Sequence, residues 1–245
     1  MEKMREMKLH GMLNAFQTTL ETGKSNDYTP DELLDYLIES EWSDRGTRKL
    51  RRRLHDAKFR YQAGVEELEF SSHRNLDKNL LRRLSDCSFL ERKENVIITG
   101  PTGCGKSFIA SALGHQACQH GYRVLYTNSR KLFSGLKIMK ADNTAVRELQ
   151  KIARQDLLIL DDFGLQEFDG ESRLTLMELI EDRHGIRSTI VTSQVPVTGW
   201  HEMIGEPTIA DAFLDRLVYS SHRIELNGNS MRGKKPKIEK EAKMS

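Results

Sequence analysis

The hydrophobic pattern of this chain changes period once, near residue 95. Upstream, apolar positions recur every three or four residues, as on one face of a helix. Leu9, Leu13, Phe16 and Leu20 make such a stripe, and residues 23–26 interrupt it. Thr29-Pro30-Asp31-Glu32 then combines a Thr cap, a Pro at the first helical position and a Glu that can return to the cap, predicting a second helix carrying Leu33, Leu34, Leu37 and Ile38. A third helix is expected over the next run. There Leu50, Leu54, Ala57 and Tyr61 fall on one side, and Arg48, Arg51, Arg52, Arg53, Lys58 and Arg60 take the remaining arc. Residues 1–65 therefore read as an all-helical N-terminal domain.

Downstream, short β-branched runs at residues 96–99, 123–127, 157–160, 189–193 and 223–226 alternate with longer helical stretches. That alternation predicts an α/β domain over residues 95–226, with a mostly parallel sheet sandwiched by helices. Residues 66–94 read as a connector with some helix of its own, and residues 227–245 as a basic tail. No apolar run approaches the roughly 18 residues of a membrane span.

Composition narrows this only slightly. With 38 Lys plus Arg against 36 Asp plus Glu in 245 residues, the net charge of +2 points to no partner. Locally the balance is different: residues 45–60 hold eight basic side chains, Lys49 and Arg45 among them, against the single acid Asp56, a charge of +7. A hydrophobic fraction of 38% with 30% charged residues describes a globular chain. Cys87, Cys104 and Cys118 have neither disulfide-framework nor zinc spacing and read as structural thiols. The N-terminus offers no secretory pattern, so a cytoplasmic location is expected.

The chemistry lies after the first strand. Gly100-Pro101-Thr102-Gly103-Cys104-Gly105-Lys106-Ser107 satisfies G-x-x-x-x-G-K-[ST] between a strand and a helix. Its glycines let backbone N–H groups face phosphate oxygens, and the helix N-terminus adds positive potential. Lys106 is expected at the β and γ phosphates, and Ser107 on Mg²⁺. The run 157–160 ends in Asp161 and Asp162, carboxylates at the carboxyl end of a buried strand, where open α/β sheets bind ligands. Asp161 is expected to hold the Mg²⁺ and Asp162 to polarise the attacking water. If strand 189–193 lies between these two, Gln194 or Ser193 faces the γ-phosphate. Arg216, late in a helix over residues 208–218, is expected to act on a neighbouring subunit's nucleotide, which requires oligomers. No N-K-x-D follows the P-loop, so guanine-specific chemistry has no support.

Together these residues resemble the AAA+ ATPases of the helicase-loader branch, most closely the IstB-like transposition helper ATPases. The likeness extends over Leu9-His10-Gly11-Met12, Ala57-Lys58-Phe59, the P-loop, residues 157–164, Val191-Thr192-Ser193-Gln194, Phe213-Leu214-Asp215-Arg216-Leu217 and Ser230-Met231-Arg232. The resemblance implies an ATP- and Mg²⁺-dependent ATPase that assembles on duplex DNA and stimulates a partner transposase. It also implies Arg216 as a trans-acting arginine finger and Gln194 as a sensor. The short chain after residue 226 implies a truncated or absent lid, with Arg232 the candidate second sensor. A DnaC-like helicase loader is the alternative reading. Arg48, Lys49, Arg51, Arg52, Arg53, Lys58 and Arg60 are the expected DNA contacts. Five phosphate contacts among them would give a log–log salt slope of about −4.5, with little base preference.

Overall fold

A computed structural model describes residues 1–70, 74–141, 144–165, 167–228, 230 and 231. The chain divides into two compact units, Met1–His55 and Asp56–Ser245, ten residues earlier than the pattern suggested.

The first unit holds α1 (Glu2–Glu6), α2 (His10–Glu21) and most of α3 (Pro30–Ala57). The capping box forms: the Thr29 amide donates to Glu32 Oε2 at 2.8 Å, and the Glu32 amide reaches back to Thr29 Oγ1 at 3.4 Å. The second and third expected helices are one helix of 28 residues. Its middle lacks an apolar stripe. Acid-first pairs from Glu41 to Arg45 at 2.6 Å and from Asp44 to Arg48 at 2.7 Å bridge the stretch instead.

The face of α2 that goes inward is rotated from the expected one and shares only Leu13 with it. It carries Gly11, Leu13, Ala15 and Thr19, while Leu20 is exposed. Small residues at this crossing let two helices approach closely, and a Cβ on Gly11 would stand 2.4 Å from the Ser40 carbonyl. Glu41 seals the contact by accepting from the Met12 amide at 3.1 Å. Leu34 and Ile38 remain largely exposed, at 57% and 52%.

The second unit contains α4 (Lys78–Ser85), α5 (Ser88–Glu91), β1 (Asn95–Thr99), α6 (Lys106–Gln119), β2 (Val124–Asn128), α7 (Ser129–Ala141), α8 (Ala145–Ala153), β3 (Leu157–Phe163), α9 (Gly170–Glu181), β4 (Ser188–Ser193), α10 (Trp200–Ile204), α11 (Pro207–Val218) and β5 (Ser221–Glu225). All five expected strands are present. They pair in parallel in the order β2-β3-β4-β1-β5, which places β4 between the strands leading to the P-loop and to the acids. Alternate residues face opposite layers. Ile97, Leu158, Leu160 and Val191 join Phe163, Trp200 and Phe213 in the core under the α7–α11 layer. The other face is covered by α6.

The expected connector is part of this unit. Leu81 and Leu84 of α4 are each 1% exposed, and Ala57, Ala63 and Leu68 are also buried. Lys58 ends α3 in the left-handed region at φ 57°, so Lys58, Arg60 and Tyr61 lie off the basic helix face. The Phe59 ring then meets His115, with centroids 4.3 Å apart. Gly114 makes that contact possible, since a Cβ there would lie 2.5 Å from Phe59 Cε1. Among the described residues no helix is long and apolar enough to cross a membrane.

Candidate nucleotide site

The P-loop forms a cradle at the carboxyl end of β1. Gly103 and Gly105 have φ of 83° and 97°, which turns successive amides toward one side. At both positions the positive φ disfavours a side chain. A Cβ on Gly103 would stand 2.2 Å from Ser230 Oγ, and one on Gly105 2.6 Å from Arg74 Nη2. The Met231 amide donates to the Gly103 carbonyl at 3.0 Å, and Arg74 donates to the Cys104 carbonyl at 2.9 Å. Segments from both ends of this unit thus brace the loop. Lys106 is 5% exposed, and its ammonium donates to the Gly100 and Pro101 carbonyls at 2.8 and 2.9 Å. Its charge is thereby held inside the loop.

Asp161 and Asp162 occupy a β-bulge. Leu160 pairs with Val191 and Phe163 with Ser193, so both acids stand against the single residue Thr192. Asp162 takes φ 56°, a conformation Asp tolerates better than most residues. Bulges re-aim side chains in this way. Asp161 is fully buried; its Oδ1 accepts from Ser107 Oγ at 2.7 Å and from Thr192 Oγ1 at 2.5 Å. Its Oδ2 accepts from the Tyr126 hydroxyl. Burial, reinforced by the Asp161 carboxylate, pushes the Tyr126 hydroxyl up, so it remains a donor. Asp162 accepts from Asn128 Nδ2 at 3.1 Å, while its own amide donates to Thr192 Oγ1 at 3.1 Å. Arg60 Nη1 lies 3.4 Å from Asp161 Oδ2 and 3.3 Å from Asp162 Oδ2.

A cleft of about 290 Å³ opens over the cradle, lined by Lys106, Ser107, Asp162, Gln194, Tyr61 and Phe108 among others. Its phosphate end is polar. The same cleft has an aromatic wall, Tyr61 against Phe108 with centroids 6.1 Å apart, suited to a planar base. Gln194 Oε1 accepts from Thr102 Oγ1 at 2.6 Å, which ties β4 to the P-loop at the cleft mouth. Ser193 does not share this position. It is fully buried, and its hydroxyl donates to the Phe163 carbonyl at 2.8 Å while accepting from the Val195 amide at 3.0 Å. Between the two expected candidates, only Gln194 faces the cleft.

Arg216 lies at the far end of the sheet. Asn95 Nδ2 donates to the Arg216 and Leu217 carbonyls at 3.4 and 3.2 Å, which fixes the end of α11 at the start of β1. A strand of this length separates it from the P-loop by roughly 15 Å. The guanidinium pairs with Glu181 and donates to the Ala212 carbonyl at 3.1 Å. The P-loop stands at the other end of β1.

The sequence profile of the IstB-like ATP binding protein family matches residues 2–239. The chain belongs to this family. A Sinorhizobium fredii protein named as an insertion-sequence ATP-binding protein is 44% identical over 232 residues, covering 95% of each chain. Among solved structures, DnaI superposes at TM-score 0.58 with 19% identity, over 72% of this chain and 94% of its own. The DnaC helicase loader also gives 0.58, with 16% identity over 68% of this chain and 98% of its own. The α/β unit therefore has the AAA+ fold.

Within this IstB-like framework the expected basic residues separate into two groups. Arg48, Lys49, Arg51 and Arg52 are exposed along α3 and Arg53 is half-buried there, with Arg48 tied to Asp44. Arg60, expected on DNA, instead faces the acids, because the left-handed turn at Lys58 redirects the chain. Lys58 lines a separate cleft with Arg60, Asn128 and both acids. Tyr126, Asn128, Thr192 and Arg74 join the site without a motif of their own in the sequence. Tyr126 and Asn128 follow from a rule already applied to β3, since polar groups at the carboxyl end of a buried parallel strand face the ligand crevice. Arg232 and most of the basic tail lie outside the described residues.

Proposed function

We propose that this chain is an ATPase that binds ATP and Mg²⁺ between neighbouring copies and uses the nucleotide state to control assembly on duplex DNA. There it recruits and stimulates the transposase of its insertion sequence. The observation that carries the reading is the meeting of Ser107 and Asp161 at 2.7 Å beside a glycine cradle that closes on Lys106. An oxygen-donor pair suits Mg²⁺, which keeps waters and phosphate oxygens as its other ligands instead of an all-protein cage. When bound, the ion would neutralise charge on the β and γ oxygens.

The chain's own residues do the rest. Lys106 leaves its loop carbonyls for phosphate oxygens, and Gln194 orients the water at the γ-phosphate. Asp162 accepts that water's proton as the O–P bond to ADP breaks and inorganic phosphate forms. Asn128 and Arg60 already occupy Asp162 Oδ2, leaving Oδ1 for the water. A base shared in this way should turn over slowly. Arg216, out of reach of its own phosphates, would reach those of the next copy, where such a cation is worth about 10³–10⁵ in turnover. The exposed basic residues of α3 would meet phosphates of the duplex without reading bases.

The test is negative-stain imaging with duplex DNA and a nonhydrolysable ATP analogue, followed by strand-transfer assays with an insertion-sequence transposase. Nucleotide-dependent oligomers on DNA and stimulated strand transfer are expected. Loading of a replicative helicase without any effect on strand transfer would favour the helicase-loader reading.

A further inference from the structure

Arg60 is held in place by its neighbours in the chain more than by its own contacts. Phe59 sits in the notch left by Gly114, and Ala63 is 3% exposed, so the backbone around residue 60 is anchored on both sides. The side chain is 43% exposed and passes over the Tyr61 ring at 5.5 Å. Its separations of 3.4 and 3.3 Å from Asp161 and Asp162 exceed the roughly 2.7–2.9 Å of a tight guanidinium–carboxylate bond. Ser107, Thr192 and Tyr126 offer Asp161 neutral donors; Arg60 brings the positive charge. A buried carboxylate needs that charge when no metal is present. A divalent ion on the same carboxylate would repel it.

We propose that Arg60 is a stand-in cation for the metal–nucleotide site. It balances Asp161 and Asp162 before nucleotide binds, gives up Asp161 when Mg²⁺ arrives with nucleotide, and keeps Asp162. Arg60 thereby sets how much Mg²⁺ the site requires. This rests on the reading of Asp161 as the Mg²⁺ carboxylate.

Two opposite shifts follow for Arg60→Gln. With the competing charge gone, the Mg²⁺ concentration that half-saturates binding of a fluorescent nonhydrolysable ATP analogue falls about threefold to fivefold, the scale of one partly exposed charge. In EDTA the same variant binds the analogue more weakly than wild type, because two bare carboxylates now face the phosphates. Arg60→Lys, which keeps the charge, holds both values near wild type. Fluorescence anisotropy against Mg²⁺ and in EDTA reads all three, with circular dichroism to establish folding.

An unchanged Mg²⁺ midpoint in a folded Arg60→Gln protein would overturn the proposal. So would shifts of the same sign with and without metal, or an Arg60→Lys protein that behaves like Arg60→Gln. Wild-type protein that binds no analogue at any Mg²⁺ concentration would overturn the nucleotide reading itself, a result distinct from all of these.

Discussion

Thr192→Val tests how the acid bulge is held. The Thr192 side chain is fully buried in β4, and its hydroxyl serves both acids, donating to Asp161 Oδ1 at 2.5 Å and accepting from the Asp162 amide at 3.1 Å. Valine preserves shape and β-branching, so strand preference and packing should change little. What is lost is polar. The half-buried Asp162 N–H loses its partner, at about 1 kcal/mol, and a charge-assisted bond to the buried Asp161 disappears, at about 1.5–3 kcal/mol. These terms share one group and do not add fully, so a destabilisation of about 3 kcal/mol is expected. Urea unfolding of the two proteins side by side measures it. Mg²⁺-dependent nucleotide affinity should fall about tenfold, since 1.4 kcal/mol of lost Asp161 orientation suffices for that. Thr192→Ser, which keeps the hydroxyl, should recover most of both. A loss below about 0.5 kcal/mol, or a Ser variant as impaired as the Val variant, would refute the reasoning.

Other outcomes follow from the same geometry. Arg216→Ala should keep nucleotide affinity and lose turnover, and mixing it with Asp162→Asn protein should restore activity by pairing an intact base with an intact arginine; no recovery would exclude action in trans. Replacing Arg51, Arg52 and Arg53 with Gln should weaken DNA binding uniformly across sequences and lower the log–log salt slope by about 2.7; an unchanged slope would place the DNA contacts elsewhere. Burial holds the His115 imidazole below its ordinary 6.5, although Glu67 and a backbone hydrogen bond at Tyr61 push the other way. The unfolded chain therefore takes up the proton first, and stability falls as pH drops from 6.5 toward the folded value. His115→Gln should flatten the dependence of melting temperature on pH between 7.5 and 5.5, and equal slopes would contradict the assignment.

Much of the architecture was legible because its signals are local. Strands buried on both faces show as uninterrupted aliphatic runs such as Val96-Ile97-Ile98 and Leu157-Leu158-Ile159-Leu160, and the P-loop glycines, Lys106 and Ser107 are fixed by spacing. Elements governed by charge or by a single dihedral were not. The α3 helix continues through a stretch without apolar period because Glu41, Asp44, Arg45 and Arg48 pair along it. Arg60 looked like one more member of a basic run. Only the left-handed turn at Lys58 and the Gly114 notch for Phe59 explain why it arrives at Asp161. Ser193 and Gln194 could not be separated by pattern, since the strand ends between them. Thr192 passed as a β-former, although a hydroxyl deep in an apolar strand needs a partner.

The role proposed for the cradle around Lys106, with Ser107 and Asp161 beside it, is to seat a magnesium-bound triphosphate. Isothermal titration of ATP with Mg²⁺ into the full chain measures this directly. Saturable heat at one nucleotide per chain is expected, lost in Lys106→Ala protein that remains folded. Absence of heat at millimolar nucleotide, or a Lys106→Ala protein binding as tightly as wild type, would contradict it.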